Sequence, residues 1–110
     1  MSEPERRTLI AEEDDEVVGF AELEDDGHLD MLYLRGDAGG RGVGRRLYEA
    51  VEEEGRGSGV GLIFTEASIT ARPFFERHGF RVVREQRISS RGVEMTNFAM
   101  EKQLASPEED

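Results

Sequence analysis

The densest chemical signal in the chain is a run of nine residues near its middle, Gly39-Gly40-Arg41-Gly42-Val43-Gly44-Arg45-Arg46-Leu47. Glycines leave backbone N–H groups free to converge on an anion, and a helix that starts among them adds its own unpaired N–H groups and partial positive charge. Arg41, Arg45 and Arg46 bring guanidinium groups to the same place, and guanidinium holds phosphate oxygens through charge-assisted hydrogen bonds. The chemistry this pattern offers is the holding of a phosphate; the plainer alternative is a loop that merely starts a helix. Two other phosphate motifs are excluded by spacing. The segment lacks the Gly-Lys-Ser/Thr ending of a P-loop, and Gly40-x-Gly42-x-Gly44 is not the dinucleotide pattern G-x-G-x-x-G.

Around that segment the hydrophobic pattern predicts the elements that position it. Thr8 to Ala11, Glu16 to Leu23 and Leu29 to Leu34 read as three short strands, separated by the acidic turn Glu12 to Asp15 and by Asp25-Asp26-Gly27, which makes an antiparallel meander. Val43, Leu47, Ala50 and Val51 then fall at helical spacing on one face of a helix ending near Gly55. The glycines at 55, 57, 59 and 61 lead into a buried strand, Leu62 to Thr65. Ser68 and Thr70 are N-cap candidates for a second helix carrying Ala71, Phe74, Phe75 and His78 on one face, closed by Gly79. Phe80 to Ile88 and Val93 to Leu104 read as two final strands. The order is β-β-β-α-β-α-β-β, an α+β domain over residues 1–104 with an acidic tail at 105–110.

Composition narrows the function classes. With 25 acidic against 14 basic residues the net charge is −11, which disfavours nucleic acid and anionic membrane surfaces as partners. There is no cysteine, so disulfides, thiolate nucleophiles and Cys-ligated metal sites are excluded. No apolar run approaches the length of a membrane span and the first residues are polar, which predicts a cytoplasmic protein. Of the 14 basic residues only Lys102 is a lysine, and acidic residues come in blocks at Glu12 to Glu16, Glu24 to Asp26, Glu52 to Glu54 and Glu108 to Asp110. That combination resembles proteins of salt-in halophiles, in which high ionic strength screens the repulsion.

Two motifs resemble a known family. Tyr33 to Gly44 is similar to the acetyl-CoA pyrophosphate loop of the GNAT superfamily N-acetyltransferases, Gln/Arg-x-x-Gly-x-Gly/Ala, with Gly42 and Gly44 in its last two fixed positions. Ala71-Arg72-Pro73-Phe74-Phe75-Glu76-Arg77-His78-Gly79-Phe80 resembles the same superfamily's helix-to-strand signature. The likeness runs from Thr8 to Leu104, and within the superfamily the chain resembles the small YafP-like acetyltransferases. It implies a mixed, mostly antiparallel sheet of about six strands with two helices. Acetyl-CoA would be the cosubstrate, with its pantetheine arm in a gap between Leu29 to Arg35 and Leu62 to Glu66. Leu32 to Leu34 would form the pairing edge, and the pyrophosphate would lie on Gly39, Gly40, Arg41, Gly42, Val43, Gly44 and Arg45. The second helix, from Ser68 onward and including Phe75, would flank the cofactor. The reaction it implies is transfer of acetyl to an amine of a small molecule or peptide.

Three departures qualify what carries over. The opening Gln/Arg of the loop pattern falls on Gly39; Phe75 stands where many members place a tyrosine that protonates the leaving thiolate; and the superfamily's usual first strand and two helices have no counterpart, so the acceptor wall is absent or comes from a homodimer or hetero-complex partner. The alternative function is a CoA-binding half-domain without catalysis. Asp30, Glu66 and Glu22 are the candidate bases, since a carboxyl in a partly buried cleft is held protonated more easily, and Tyr33 is the nearest replacement acid. His78 is expected in the core and His28 exposed at a strand start. Met31, Met95 and Met100 are expected as core filler, Tyr33 and Tyr48 chiefly as packing, and no metal site is expected.

Overall fold

The computed structural model describes residues 5–36 and 42–104. Gly39, Gly40 and Arg41 and the tail at 105–110 lie outside the described residues. The elements are β1 (Arg6–Glu13), β2 (Glu16–Glu24), β3 (Leu29–Leu34), α1 (Val43–Gly57), β4 (Leu62–Ser68), α2 (Arg72–Arg77), β5 (Arg81–Ser90) and β6 (Val93–Gln103). They follow the predicted order, and the strands form two three-stranded antiparallel sheets, β1-β2-β3 and β4-β6-β5. The shared architecture is therefore α+β.

Turn chemistry sets the first sheet. Asp14 and Asp15 both take positive φ, 52° and 66°, the mirror-image turn that matches strand twist and that Asp tolerates through its own side-chain hydrogen bonding. β1 begins two residues earlier than the apolar pattern indicates, because Arg6 and Arg7 lie opposite Glu24 and Leu23 in the ladder. A register shift between Glu22 and Leu23 puts Leu23 opposite Leu29 and Glu22 opposite Met31, leaving Asp30 as the extra residue of a bulge. The bulge turns both Asp30 and Met31 outward, so Met31 is 46% exposed rather than in the core. Met95 is also exposed, on the part of the β5–β6 hairpin that reaches past β4, whose pairing with β6 starts only at Asn97. Met100 is fully buried, as expected.

The helices lie together on one face. α1 buries Leu47, Tyr48 and Val51, and Tyr48 meets Phe74 of α2 edge-on at 6.5 Å. Leu23, Leu29, Ile63 and Met100 complete the core beneath them. α2 is shorter than predicted. Ser68 ends β4 instead of capping the helix, and its hydroxyl and carbonyl oxygens accept the Ala71 N–H at 3.0 and 3.1 Å in the intervening turn. Gly79, at φ +95°, closes α2, and the Phe80 N–H donates to the Phe75 carbonyl at 3.0 Å, the Schellman arrangement. Among the described residues no helix covers the other face of the first sheet. There the register aligns Ile10, Phe20 and Tyr33, and Ile10 and Tyr33 are more than half exposed.

Backbone contacts join the two sheets where β3 begins. The Phe64 N–H donates to the Gly27 carbonyl at 3.0 Å, a parallel bridge pairs His28 with Phe64, and the Thr65 hydroxyl donates to the Leu29 carbonyl at 2.8 Å. Past Leu29 and Thr65, no backbone hydrogen bond joins β3 to β4 among the described residues. The strands part there.

Candidate active site

The parting of β3 from β4 leaves a recess of about 290 Å³ whose walls include Asp30 and Leu32 on one strand and Glu66 and Ser68 on the other, with Phe75 of α2 behind. Leu34, two residues along β3 from Leu32, lines a second and larger cleft of about 580 Å³, together with Gly42, Gly44, Arg45, Phe74 and His78. The second cleft opens on the start of α1. Gly42 precedes the helix at φ +78°, no side chain caps the first turn among the described residues, and no acidic residue lies in that turn. An uncapped helix start offers its N–H groups and partial charge to an anion.

Gly44 has a different role from Gly42. A Cβ on Gly44 would come within 2.9 Å of Leu34 Cδ1 and 3.2 Å of Phe74 Cε1, so this glycine lets the start of α1 approach β3 and α2. Val43 points its side chain into a small cluster with Val18, which leaves its backbone N–H as the group it can offer. Arg45 forms an i,i+4 ion pair with Glu49 at 3.0 Å and is well exposed at the cleft edge. His78 is half-buried between the Tyr48 and Phe74 rings, at 4.9 and 4.6 Å, and lines the cleft instead of lying in the core. Burial, reinforced by the nearby charge of Lys102, pushes its imidazole below the usual histidine range.

At the other recess the candidate carboxylates are not isolated. Arg6 Nη1 donates to Glu22 Oε1 at 3.0 Å and to Asp30 Oδ2 at 2.8 Å, while Nη2 lies 2.9 Å from Glu24 Oε2. His28 sits beside them, Nδ1 3.1 Å from Glu24 Oε1 and Nε2 2.8 Å from Glu66 Oε1. Its ring stacks on Phe64 at 5.0 Å and 14°. His28 is thus partly buried rather than exposed, because the bridge to β4 draws it under the second sheet. Burial disfavours its charged form, but the hydrogen bonds to Glu66 and Glu24 outweigh it and raise the imidazole above its ordinary value. Glu24, His28 and Asp30 bring donor atoms within 4.8 Å of one another; with Arg6 already on both carboxylates, the group is an ion-pair network.

The structure therefore brings Asp30, Leu32, Glu66, Ser68 and Phe75 together around one recess, and Leu34, Gly42, Gly44 and Arg45 around the other. Glu22 stays on the open face with Arg6, and Tyr33 lies beside Phe20 at 5.6 Å, outside both linings. Sequence reasoning missed Arg6, Glu24 and His28 as parts of the site. The one available signal was the pairing of the acidic Asp25-Asp26-Gly27 turn with a charged N-terminal strand, which sets Arg6 opposite Glu24.

Residues 1–102 match the acetyltransferase (GNAT) domain model, and the chain belongs to that family. Over 74 residues it is 39% identical to the uncharacterized N-acetyltransferase YafP of Escherichia coli K12, a match covering 66% of this chain and 45% of that protein. The crystal structure of a GCN5-related N-acetyltransferase from Rhodopseudomonas palustris superposes with a TM-score of 0.83 at 35% identity, covering 90% of this chain and 62% of that one. PaiA N-acetyltransferase from Thermoplasma acidophilum, solved in complex with coenzyme A, shares the fold at 23% identity and a TM-score of 0.73, over 89% of this chain and 60% of that one. The chain thus spans less than two thirds of the length of each of these proteins. Among the described residues no helix is long and apolar enough to cross a membrane.

Proposed function

We propose that the protein binds acetyl-CoA and transfers its acetyl group to an amine. The observation that carries this reading is the separation of β3 from β4 beside a glycine-led helix start, within a chain of the GNAT family. The first-turn N–H groups of α1 hold the pyrophosphate, with Gly39, Gly40 and Arg41 of the preceding sequence contributing and Arg45 at its edge. Leu32 and Leu34 present β3 backbone to the pantetheine arm, and Ser68 and Phe75 close the far side.

The transfer joins the amine nitrogen to the thioester carbonyl and releases CoA thiolate, while the amine gives up a proton. Glu66 and Asp30 are the carboxylates at that recess. We assign the proton to Glu66. Asp30 is tied up with Glu22 and Glu24 in the ion-pair network around Arg6, whereas Glu66 stands nearly half exposed at the recess, bonded to His28. Phe75 cannot donate a proton and Tyr33 stands away from the recess, so the thiolate leaves without a side-chain acid, as a group with the modest basicity of a thiol can.

The acceptor is a small-molecule or peptide amine, and a homodimer or hetero-complex partner completes its site over the open face where Ile10, Phe20, Met31 and Tyr33 lie. The reading includes a cytoplasmic location and adaptation to high salt. A second reading, a CoA-binding half-domain without catalysis, is favoured by Phe75 in place of a proton donor. The two are separated by calorimetric titration with CoA and by thiol release from acetyl-CoA in the presence of amines. Gly42→Val, which puts a side chain at the helix start, should weaken CoA binding at least about ten-fold in a protein that stays folded. Unchanged affinity removes the cofactor assignment, and CoA binding without thiol release leaves the half-domain.

A further inference from the structure

We propose that His28 is a positioning residue of the transfer site: bridging Glu24 and Glu66 where the two sheets meet, it holds the Glu66 carboxylate at the mouth of the β3–β4 recess. This rests on the assignment of the amine's proton to Glu66. Carboxylates only accept hydrogen bonds, and a neutral imidazole has one N–H. Contacts at both ring nitrogens, 3.1 Å to Glu24 and 2.8 Å to Glu66, are therefore both hydrogen bonds only when His28 is the imidazolium.

The two ends of the bridge differ. Glu24 is buried, and its other oxygen is held by Arg6 Nη2 at 2.9 Å, so that end is anchored. Glu66 has nearly half of its side chain exposed, and it pairs with His28. The ring itself is fixed by stacking on Phe64, and its backbone N–H donates to Asp26 Oδ1 at 3.0 Å. Rigidity thus passes from the Arg6–Glu24 ion pair that joins β1 to β2, through the imidazolium, to an exposed carboxylate on β4. The charged groups facing His28 are Glu24 from β2, Asp30 from β3 and Glu66 from β4, with Arg6 from β1 on the first two. The balance around the ring is negative and favours the imidazolium. Misplacement of a reacting group by about 1 Å costs on the order of 100-fold in rate, which sets the scale of what such a tether protects.

The test pairs spectroscopy with kinetics on the full chain. With two histidines in the sequence, imidazole nitrogen NMR resolves both; His28 should be doubly protonated at pH 7, and Glu66→Gln should lower its titration midpoint. A His28 neutral at pH 7, or a midpoint unmoved by Glu66→Gln, overturns the bridge without need of any acceptor. For kinetics the probes are acetyl-CoA with spermidine, kanamycin or an alanyl peptide, the fastest of the three being used. His28→Gln places an amide donor near the Nε2 position and should keep at least half of kcat. His28→Asn reaches only toward Glu24 and should lower kcat about ten-fold, with the KM for acetyl-CoA unchanged. If Glu66→Gln abolishes turnover while His28→Asn does not, the Glu66 assignment stands and this inference falls. If Glu66→Gln keeps full turnover, the assignment falls and the positioning role with it. Equal losses in both histidine variants, tracking a drop in melting temperature, show a merely structural histidine and also overturn the proposal.

Discussion

Gly27 is the residue whose replacement most directly tests how the two sheets are joined. It takes φ +96°, and a Cβ there would lie 2.1 Å from the Leu62 carbonyl oxygen and 3.2 Å from Val60 Cγ1. The Gly27 carbonyl is also the acceptor for the Phe64 N–H at the junction. In Gly27→Ala the left-handed backbone costs about 1–2 kcal/mol. The junction must also open by roughly 1 Å to relieve the clash, an overpacking cost of about 1–3 kcal/mol. The sum, about 2–5 kcal/mol, is a large share of the roughly 5–15 kcal/mol that a domain of this kind has. It corresponds to a fall in melting temperature of about 10 °C or more. Gly92→Ala is the control. Gly92 has φ +78° with nothing within 4 Å of its added Cβ, so it carries the backbone cost alone. Thermal unfolding followed by circular dichroism compares the two variants. A Gly27→Ala protein no less stable than Gly92→Ala would refute the close junction and, with it, the origin of the recess.

Other outcomes follow from the same structure. Lys102 ion-pairs with Glu52, which also accepts from Tyr48 at 2.9 Å and from Arg56 at 3.2 Å; Lys102→Met should cost about 1–3 kcal/mol in denaturant unfolding. Burial works to raise the Glu52 carboxyl, but hydrogen bonds from Lys102, Tyr48 and Arg56 leave it below its ordinary 4.5. Its contribution is therefore full above pH 4.5 and lost as pH falls through the lower folded value, so the stability advantage of wild type over Glu52→Gln should shrink in that acidic range. His28 has the opposite sign. Its folded value lies above 6.5, so its contribution is complete below pH 6.5 and fades as pH rises through the folded value, which a melting series from pH 6 to 9 on wild type and His28→Gln would show. With a net charge of −11, the melting temperature should climb from low to molar KCl; a flat or falling series removes the high-salt adaptation.

The order of elements and both family motifs were legible because they depend on short-range signals: alternation in the first strands, the i, i+4, i+7, i+8 face of α1, and the glycines at 42 and 79. What stayed hidden depends on register. Asp30 and Met31 point the same way only because of the bulge opposite Glu22 and Leu23, and no local pattern announces it. Arg6, Glu24, His28 and Glu66 meet from β1, β2, the β2–β3 connection and β4, at separations that carry no periodicity. Ser68 has the residue type of a helix cap, yet β4 continues through it because Ser68 still pairs with Asn97 of β6. In each case tertiary pairing decided between two locally acceptable states.

The central claim is that CoA occupies the start of α1 and the parting of β3 from β4. Backbone amide NMR with added CoA measures this directly, residue by residue. The largest shifts should fall on Val43 to Leu47, on Leu32 and Leu34, and on Thr65 to Ser68, with Arg87 to Met95 at the far hairpin unmoved. Saturable binding whose shifts map to that hairpin or to the open face around Ile10 and Phe20, or no shifts at millimolar CoA, would contradict it.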